Sequence, residues 1–201
     1  MTDFLAQSGI GNRIQAIRKE HGIRSAKDLA DAIPSENVTE AIVQNIEAGR
    51  KQDLSVSQLL NIAKALNVTP IFLLTPIGRP TAGLDIANLS SSFDGMTVVE
   101  FDAWISGEAQ GAYLWTTAAE RSERAQLQAM RDLYQMTRER KRLAANLEVE
   151  RSLDASTDDP PEPRPWDETE DRLAETNRRI AQLSSYLSSA GWEVAGFTPK
   201  G

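Results

Sequence analysis

Four residues between positions 40 and 45 carry side chains that could read the edges of DNA bases. They are Glu40, Ala41, Gln44 and Asn45, and their spacing places them on one face of a helix. Glutamine and asparagine can form two hydrogen bonds with an adenine edge, and glutamate can accept one from the cytosine amino group. Val43 and Ile46 fall on the opposite, apolar side of the same segment. The pattern therefore predicts a helix, starting near Thr39, that reads the major groove with its polar face.

Residues on either side of this helix could hold the phosphate backbone, because cations, polar side chains and helix N-termini all bind phosphate. The candidates are Ser25, Lys27, Thr39, Arg50, Lys51 and Gln52. The chain has one histidine and no cysteine, so we expect neither a metal site built from these residues nor a cofactor. The many carboxylates after residue 153 indicate a solvated acidic face, so we predict no enzymatic activity.

Five short helices must position these residues, and capping residues mark where each begins. The expected starts are Asn12, Ser25, Thr39, the capping box Ser55-x-x-Gln58, and Thr69 before Pro70. Gly22, Pro34 and Gly49 favour the ends of the first three helices. We predict an all-α fold in which residues 1–76 form a DNA-binding domain.

A set of motifs between residues 12 and 74 points to a known family. The motifs are Arg13-Ile14, Ile17-Arg18, Gly22, Leu29-Ala30, Val38-Thr39, Val43, Ile46-Glu47-x-Gly49, Leu60 and Ile62-Ala63-x-Ala65-Leu66-x-Val68. With them the segment resembles the Cro/repressor (XRE) family of helix-turn-helix transcription regulators. The resemblance implies a five-helix, lambda-repressor-like domain that binds a double-stranded operator. It also implies an ion pair between Arg18 and Glu47, which braces the first helix against the end of the recognition helix.

The segment departs from the family pattern in two places. The turn before Thr39 is longer than usual, and Pro34-Ser35-Glu36-Asn37 replaces the family's turn glycine. Ala26 stands where the family often has a glutamine that grips phosphate. The family analogy therefore predicts the recognition helix better than it predicts the turn that leads into it.

The remaining chain predicts a linker and a helical hairpin. Residues 77–96 contain one proline, three glycines and three serines without a sustained period, which is typical of a linker. Within residues 97–201, capping boxes at Thr97-x-x-Glu100 and Thr117-x-x-Glu120 open a short helix and a long helix. After a proline-rich stretch, Trp166, Leu173, Ile180 and Leu187 repeat every seven residues. We predict an antiparallel, coiled-coil-like hairpin that dimerises or binds another partner.

Charge is divided unequally along the chain. The net charge is -7, but residues 1–80 contain nine Lys/Arg against eight Asp/Glu, so the acidity lies in the second half. The hairpin nevertheless carries a group of cations that form a solvated face, contact acidic residues of a second subunit, or touch DNA beside the operator. They are Arg138, Arg140, Lys141, Arg142, Arg178 and Arg179. The absence of cysteine and of a long apolar run favours a cytoplasmic protein without a membrane partner.

Together these features predict a sequence-specific, double-stranded DNA-binding transcriptional regulator, and specifically a repressor that acts as a homodimer. The alternative is a helical adaptor or antitoxin-like interaction module with weak DNA binding, which the near-neutral first half and the longer turn also allow.

Overall fold

The computed structural model describes residues 4–154, 167–195 and 197, and its regular elements in these ranges are helical. Besides two short 3-10 turns, these residues form eight α-helices. They are α1 (Ile10–Glu20), α2 (Ala26–Asp31), α3 (Glu40–Glu47), α4 (Val56–Ala65), α5 (Pro70–Leu74), α6 (Val98–Ser106), α7 (Ala118–Asp154) and α8 (Asp167–Ser189). The predicted all-α fold is confirmed for the described residues. No helix among them is long and apolar enough to cross a membrane.

Helices α1 to α5 surround one apolar core. Each of them contributes at least one side chain that is at least nine-tenths buried, among them Ile14, Ile17, Leu29, Val43, Ile46, Ile62 and Leu73. Ser25 and Ser55 cap α2 and α4 through reciprocal capping boxes with the residues three positions later. The predicted N-cap of α1 at Asn12 is wrong by three residues. Gly9, with a φ of 79°, precedes the first turn, and Asn12 instead donates its side-chain amide to the Ser8 carbonyl.

The first of two compact units extends well beyond α5. It comprises the residues up to Ser106 together with 110–114, and the second comprises 107–109 and the residues from Trp115 onward. Residues 77–96, predicted as a linker, make hydrogen bonds within the first unit. For example, the Gly78 amide donates to the Leu5 carbonyl at 2.9 Å. Helix α6, which the sequence grouped with the hairpin, also lies in this unit because it packs beside Phe93.

Helices α7 and α8 form the predicted hairpin of the second unit. Glu150 of α7 contacts Thr169 near the start of α8, whereas Gln126 contacts Trp192 beyond its end, so the helices run antiparallel. Buried side chains along the hairpin include Ala129, Leu133, Ile180, Leu183 and Leu187, and the residues Trp192, Val194 and Phe197 pack against them. Of the predicted seven-residue repeat, Leu173 is half-buried, and Trp166 lies outside the described residues, as do residues 155–165.

The start of α7 is capped by the carboxyl group of Glu120, which titrates. Glu120 accepts hydrogen bonds from the backbone amides of Thr116 and Thr117, at 3.1 and 2.9 Å. Chiefly because of the Thr117 amide, the pKa of the Glu120 carboxyl lies below its usual value. A carboxyl whose pKa is lower in the folded state stabilises the fold above the unfolded value of 4.5 and loses this contribution as the pH falls.

We therefore predict that Glu120→Gln reduces the acid sensitivity of the hairpin. Glutamine retains an oxygen that can accept from the same amides but does not titrate. Urea unfolding at a series of pH values below 4.5 should show a smaller decline in unfolding free energy for the variant than for the parent chain. Parallel declines in the two proteins would contradict this role of Glu120.

Candidate nucleic-acid interface

Helices α2 and α3 pack against each other and turn one face of α3 outward. Val43 and Ile46 are at most 1% exposed because they contact the core of the first unit. Thr39 precedes α3 in an extended conformation, and its hydroxyl accepts a hydrogen bond from the Ile42 amide at 3.4 Å. Apolar periodicity and this cap together fix which face of α3 reaches solvent.

The outward face contains the residues predicted to read bases. Glu40, Ala41 and Gln44 are exposed, and Asn45 is half-buried. The Gln44 side-chain amide donates to Glu40 at 2.9 Å, which leaves the Gln44 oxygen free to accept from a base. Because both side chains of this pair are exposed, exchanging their mutual hydrogen bond for one to DNA costs little.

Asn45 differs from Gln44 because its partners lie in the segment after α3 and not on α3 itself. The Arg50 Nε donates to the Asn45 Oδ1 at 2.8 Å, and the Lys51 amide donates to the Asn45 carbonyl at 2.9 Å. These bonds hold the segment after α3 against the end of the recognition helix. The Asn45 amide group remains a donor, and its oxygen retains a second lone pair. The geometry therefore couples the Asn45 orientation to the Arg50 position.

The longer turn before Thr39 is anchored by α4, which the sequence did not reveal. Asn37 donates its side-chain amide to the Ser57 hydroxyl at 2.8 Å, and its carbonyl accepts from the Gln58 side chain at 2.8 Å. Val38 is 2% exposed and adds an apolar contact. The extra residues are therefore tied to the first turn of α4. The capping-box pattern of Gln58 was visible in the sequence, but its second bond across the fold was not.

The start of α2 presents two of the predicted phosphate contacts. The Ser25 hydroxyl accepts from the Asp28 amide at 3.1 Å, and its own proton remains available to a phosphate oxygen. Lys27 lies beside Asp31 at 2.6 Å, and this hydrogen bond raises the Lys27 pKa. Both side chains are 62% exposed, so the pair is weak and its ammonium can turn to a phosphate. The Ala26 side chain is buried and takes no part.

The remaining phosphate candidates follow α3 directly. Arg50 and Gln52 are exposed, and Lys51 is half-buried. Gly49 adopts a φ of 70°, a left-handed conformation that ends α3 and lets the chain change direction there. The structure thus places Arg50, Lys51 and Gln52 at the opposite end of the recognition helix from Thr39.

A buried ion pair fixes α3 relative to α1. Arg18 donates through Nε and Nη2 to the two Glu47 oxygens, at 2.7 and 2.8 Å, and their side chains are 5% and 7% exposed. The third contact of Arg18 is the Ile23 carbonyl at 2.8 Å. The hydrogen bond to Glu47 raises the Arg18 pKa, so the guanidinium stays charged. This is the pair that the family resemblance implied.

A second buried arginine, Arg13, was not assigned a role from the sequence. It is fully buried, and two of its nitrogens donate to Asp85 at 2.7 and 3.0 Å. Its other bonds go to the carbonyls of Leu73, Leu74 and Gln7, which satisfies all five guanidinium donors. Asp85 also accepts from the Gly9 amide at 2.6 Å. The sequence signal for Arg13 was its place in the family motif Arg13-Ile14, which assigned it no partner.

Comparison with known proteins agrees with this geometry. A family model described as Helix-turn-helix matches residues 14–73, which run from α1 to α5. The comparison with curated proteins gave no match, and neither did the comparison with solved structures. The matched residues contain the α2–α3 pair, the Arg18–Glu47 ion pair and the outward face of α3. Residues 14–73 of this chain therefore match an XRE-like helix-turn-helix domain, a type of domain that binds DNA.

Proposed function

We propose that this protein is a sequence-specific transcriptional repressor, and not an enzyme, that places α3 in the major groove of an operator. The observation that carries the proposal is the outward face of α3, where exposed hydrogen-bonding side chains stand on a helix fixed by buried contacts. Glu40, Ala41, Gln44 and Asn45 would contact bases. A repressor bound in this way would occlude a promoter.

Phosphate contacts would orient the helix from both of its ends. Ser25, Lys27 and Thr39 lie at the N-termini of α2 and α3, where the helix dipole favours anions. Arg50, Lys51 and Gln52 follow α3. The first half of the chain is nearly neutral, so we expect modest non-specific affinity and a specificity that depends on base contacts.

We predict that the double variant Gln44→Ala/Asn45→Ala loses sequence preference. Each bidentate contact to a base contributes about 1–3 kcal/mol of discrimination, and every 1.4 kcal/mol is roughly tenfold in affinity. Selection of bound sites from random DNA, followed by titration of the selected site, should show a loss of roughly tenfold or more.

The matched control for this test removes the same two residue types from an exposed helix face elsewhere. Gln135→Ala/Asn146→Ala lies on α7 and should leave the selected sequence unchanged. If Gln44→Ala/Asn45→Ala selects the same sequence as the parent chain, the assignment of these residues to base reading is wrong.

The hairpin supports the further proposal that the repressor is a homodimer. A groove of about 580 Å³ between α7 and α8 is lined largely by apolar and small side chains, among them Ala144, Leu173, Ile180 and Ala181. Two residues that line this groove, Arg140 and Ser184, each have a buried polar atom, Nη1 and Oγ, without a hydrogen-bond partner among the described residues. Buried polar groups are normally paired, so an occupant with apolar and acidic side chains would fit.

A second copy of the hairpin has this chemistry. The first turns of α8 carry Asp167, Glu168, Glu170 and Asp171, whereas Arg138, Lys141 and Arg179 form a basic region along the hairpin. Two hairpins packed together could therefore bring opposite charges into contact. A two-fold dimer would present two α3 helices to half-sites about one DNA turn apart, so the operator would be an inverted repeat.

We predict that Ala181→Glu, which places a carboxylate in the groove, weakens dimerisation. A bulky charged side chain there should block a close helix contact and weaken the dimer by roughly tenfold or more. Ala174→Glu is the matched control because Ala174 is also exposed on α8 but does not line the groove. Sedimentation of both variants and the parent chain measures the difference.

Salt provides an independent test of the charge contacts. Raising the salt from about 0.1 M to about 1 M shortens the screening length from about 10 Å to about 3 Å and should weaken the dimer. A parent chain that remains monomeric regardless of salt would contradict the homodimer, as would unchanged dimerisation of Ala181→Glu.

A further inference from the structure

A second cavity lies in the first unit, at the C-terminal end of the recognition helix. Its volume is about 320 Å³, which is within the range of small-molecule sites. Its walls are residues 9–12 at the start of α1, residues 46–49 at the end of α3, Lys51, Gln52, Leu74 and residues 85–87. The site therefore touches both the recognition helix and the residues proposed to hold phosphate.

The charges around this cavity do not cancel. Two carboxylates line it, but Glu47 is bound by Arg18 and Asp85 is bound by Arg13, each through two hydrogen bonds. Lys51 also lines it, is half-buried, and has no ion pair for its ammonium among the described residues. Among the described ionisable residues that line the cavity, Lys51 is thus the one without a counter-ion, so the cavity favours an anion.

The remaining wall is suited to an apolar group. Leu74, Ile86 and Ala87 contribute aliphatic surface, and Gln52 adds an amide that can bond a polar substituent. Small-molecule sites combine such apolar walls with a few polar groups that orient the ligand. The complementary ligand has one anionic group and a compact apolar body.

We propose that this cavity binds a small organic carboxylate, and that binding opposes the binding of DNA. The opposition rests on the proposed function, because Lys51 would contact either the carboxylate or a DNA phosphate. Binding free energies are linked reciprocally, so a ligand that engages Lys51 lowers the affinity for DNA, and DNA lowers the affinity for the ligand. Regulation of the repressor would then occur within the first unit.

The ligand site is tested first without DNA. Benzoate and hexanoate, with benzamide and hexanamide as neutral counterparts, are titrated into the full chain, and the amide resonances of the residues lining the cavity are followed by NMR. Both carboxylates should shift these resonances saturably, with affinities roughly tenfold or more above those of the amides. Lys51→Gln should remove this preference for the anion. Absence of binding by both carboxylates, or an equal preference in Lys51→Gln, overturns the proposed site.

The link to DNA is tested with a variant that fills the cavity. Ala87→Phe should bind neither carboxylate but should retain its DNA affinity, because Ala87 is outside the proposed DNA contacts. Far-ultraviolet circular dichroism verifies that this variant and Lys51→Gln are folded. Benzoate should weaken DNA binding by the parent chain about fivefold or more and leave Ala87→Phe unaffected.

The two proposals fail in distinguishable ways. A parent chain that binds carboxylate but selects no DNA sequence contradicts the proposed repressor while leaving the ligand site intact. A parent chain whose DNA affinity does not respond to a bound carboxylate overturns the proposed regulation.

Discussion

Replacing Glu47 with alanine is expected to lower the unfolding free energy of the first unit by about 3–5 kcal/mol, because it leaves the Arg18 guanidinium buried without its counter-charge. The Arg18 side chain is 5% exposed, so little solvent reaches its guanidinium in the folded protein. Native-state hydrogen exchange of α1 and α3 amides measures this loss separately from the hairpin. Because Glu47 is the last residue of α3, the variant should also lose DNA affinity.

Two comparisons separate the cost of leaving a buried charge unpaired from the stability that the ion pair itself contributes. Asp31→Ala removes a pair of similar length, Lys27–Asp31, from an exposed surface and should change stability little. Arg18→Met/Glu47→Leu replaces both charges with apolar groups of similar size and should destabilise the unit less than Glu47→Ala does. A loss in Glu47→Ala that is no larger than the loss in Asp31→Ala would contradict the buried-pair argument.

Arg13→Met should be similarly costly, at about 3–5 kcal/mol, because Arg13 bonds three carbonyls and the Asp85 carboxylate from a fully buried position. Methionine fills most of the volume but leaves these acceptors without donors. Arg13→Lys should recover little of the loss, since a lysine cannot form the two-pronged contact with Asp85. Hydrogen exchange of the α1 and α5 amides provides the measurement.

The same prediction extends to residues 77–96. Asp85→Ala should accelerate exchange of the Gly78 and Val98 amides, because Asp85 holds this segment against the Arg13 side chain and the Gly9 amide. Asp53→Ala also removes a contact to the segment, through Asn88, but that contact is exposed and its loss should have a small effect. If the Gly78 and Val98 amides exchange at the same rate in the two variants, the order of this segment does not depend on the contact between Asp85 and Arg13.

Much of the helical architecture could be predicted because its signals are local. A capping box acts over three residues, and apolar periodicity acts over four, so Ser55, Thr97 and Thr117 marked helix starts that the structure contains. The start of α1 was misplaced because a local cap signal does not show which group its side chain will bond in the folded protein. Asparagine is a common cap, but here the Gly9 backbone begins the helix and the Asn12 side chain bonds Ser8 instead.

The candidate interface was predictable only in part. Helical spacing identified the polar face of α3, and the family resemblance pointed to the Arg18–Glu47 pair, which the structure contains. No local pattern indicated that Asn37 would bond Gln58 and Ser57 of α4, because side-chain amides bond any suitable group that the fold brings near. The pairing of Arg50 with Asn45 was hidden for the same reason.

The sequence by itself determined which residues form helices, which faces of those helices are apolar, and which side chains of α3 are left for a partner. These properties follow from spacing along the chain, and spacing can be counted. Only the tertiary structure decided that Asp85 is the partner of Arg13, although 72 positions separate them, and that a cavity lies beside Lys51. A buried charge requires a counter-charge, but which one it obtains depends on how the chain folds back.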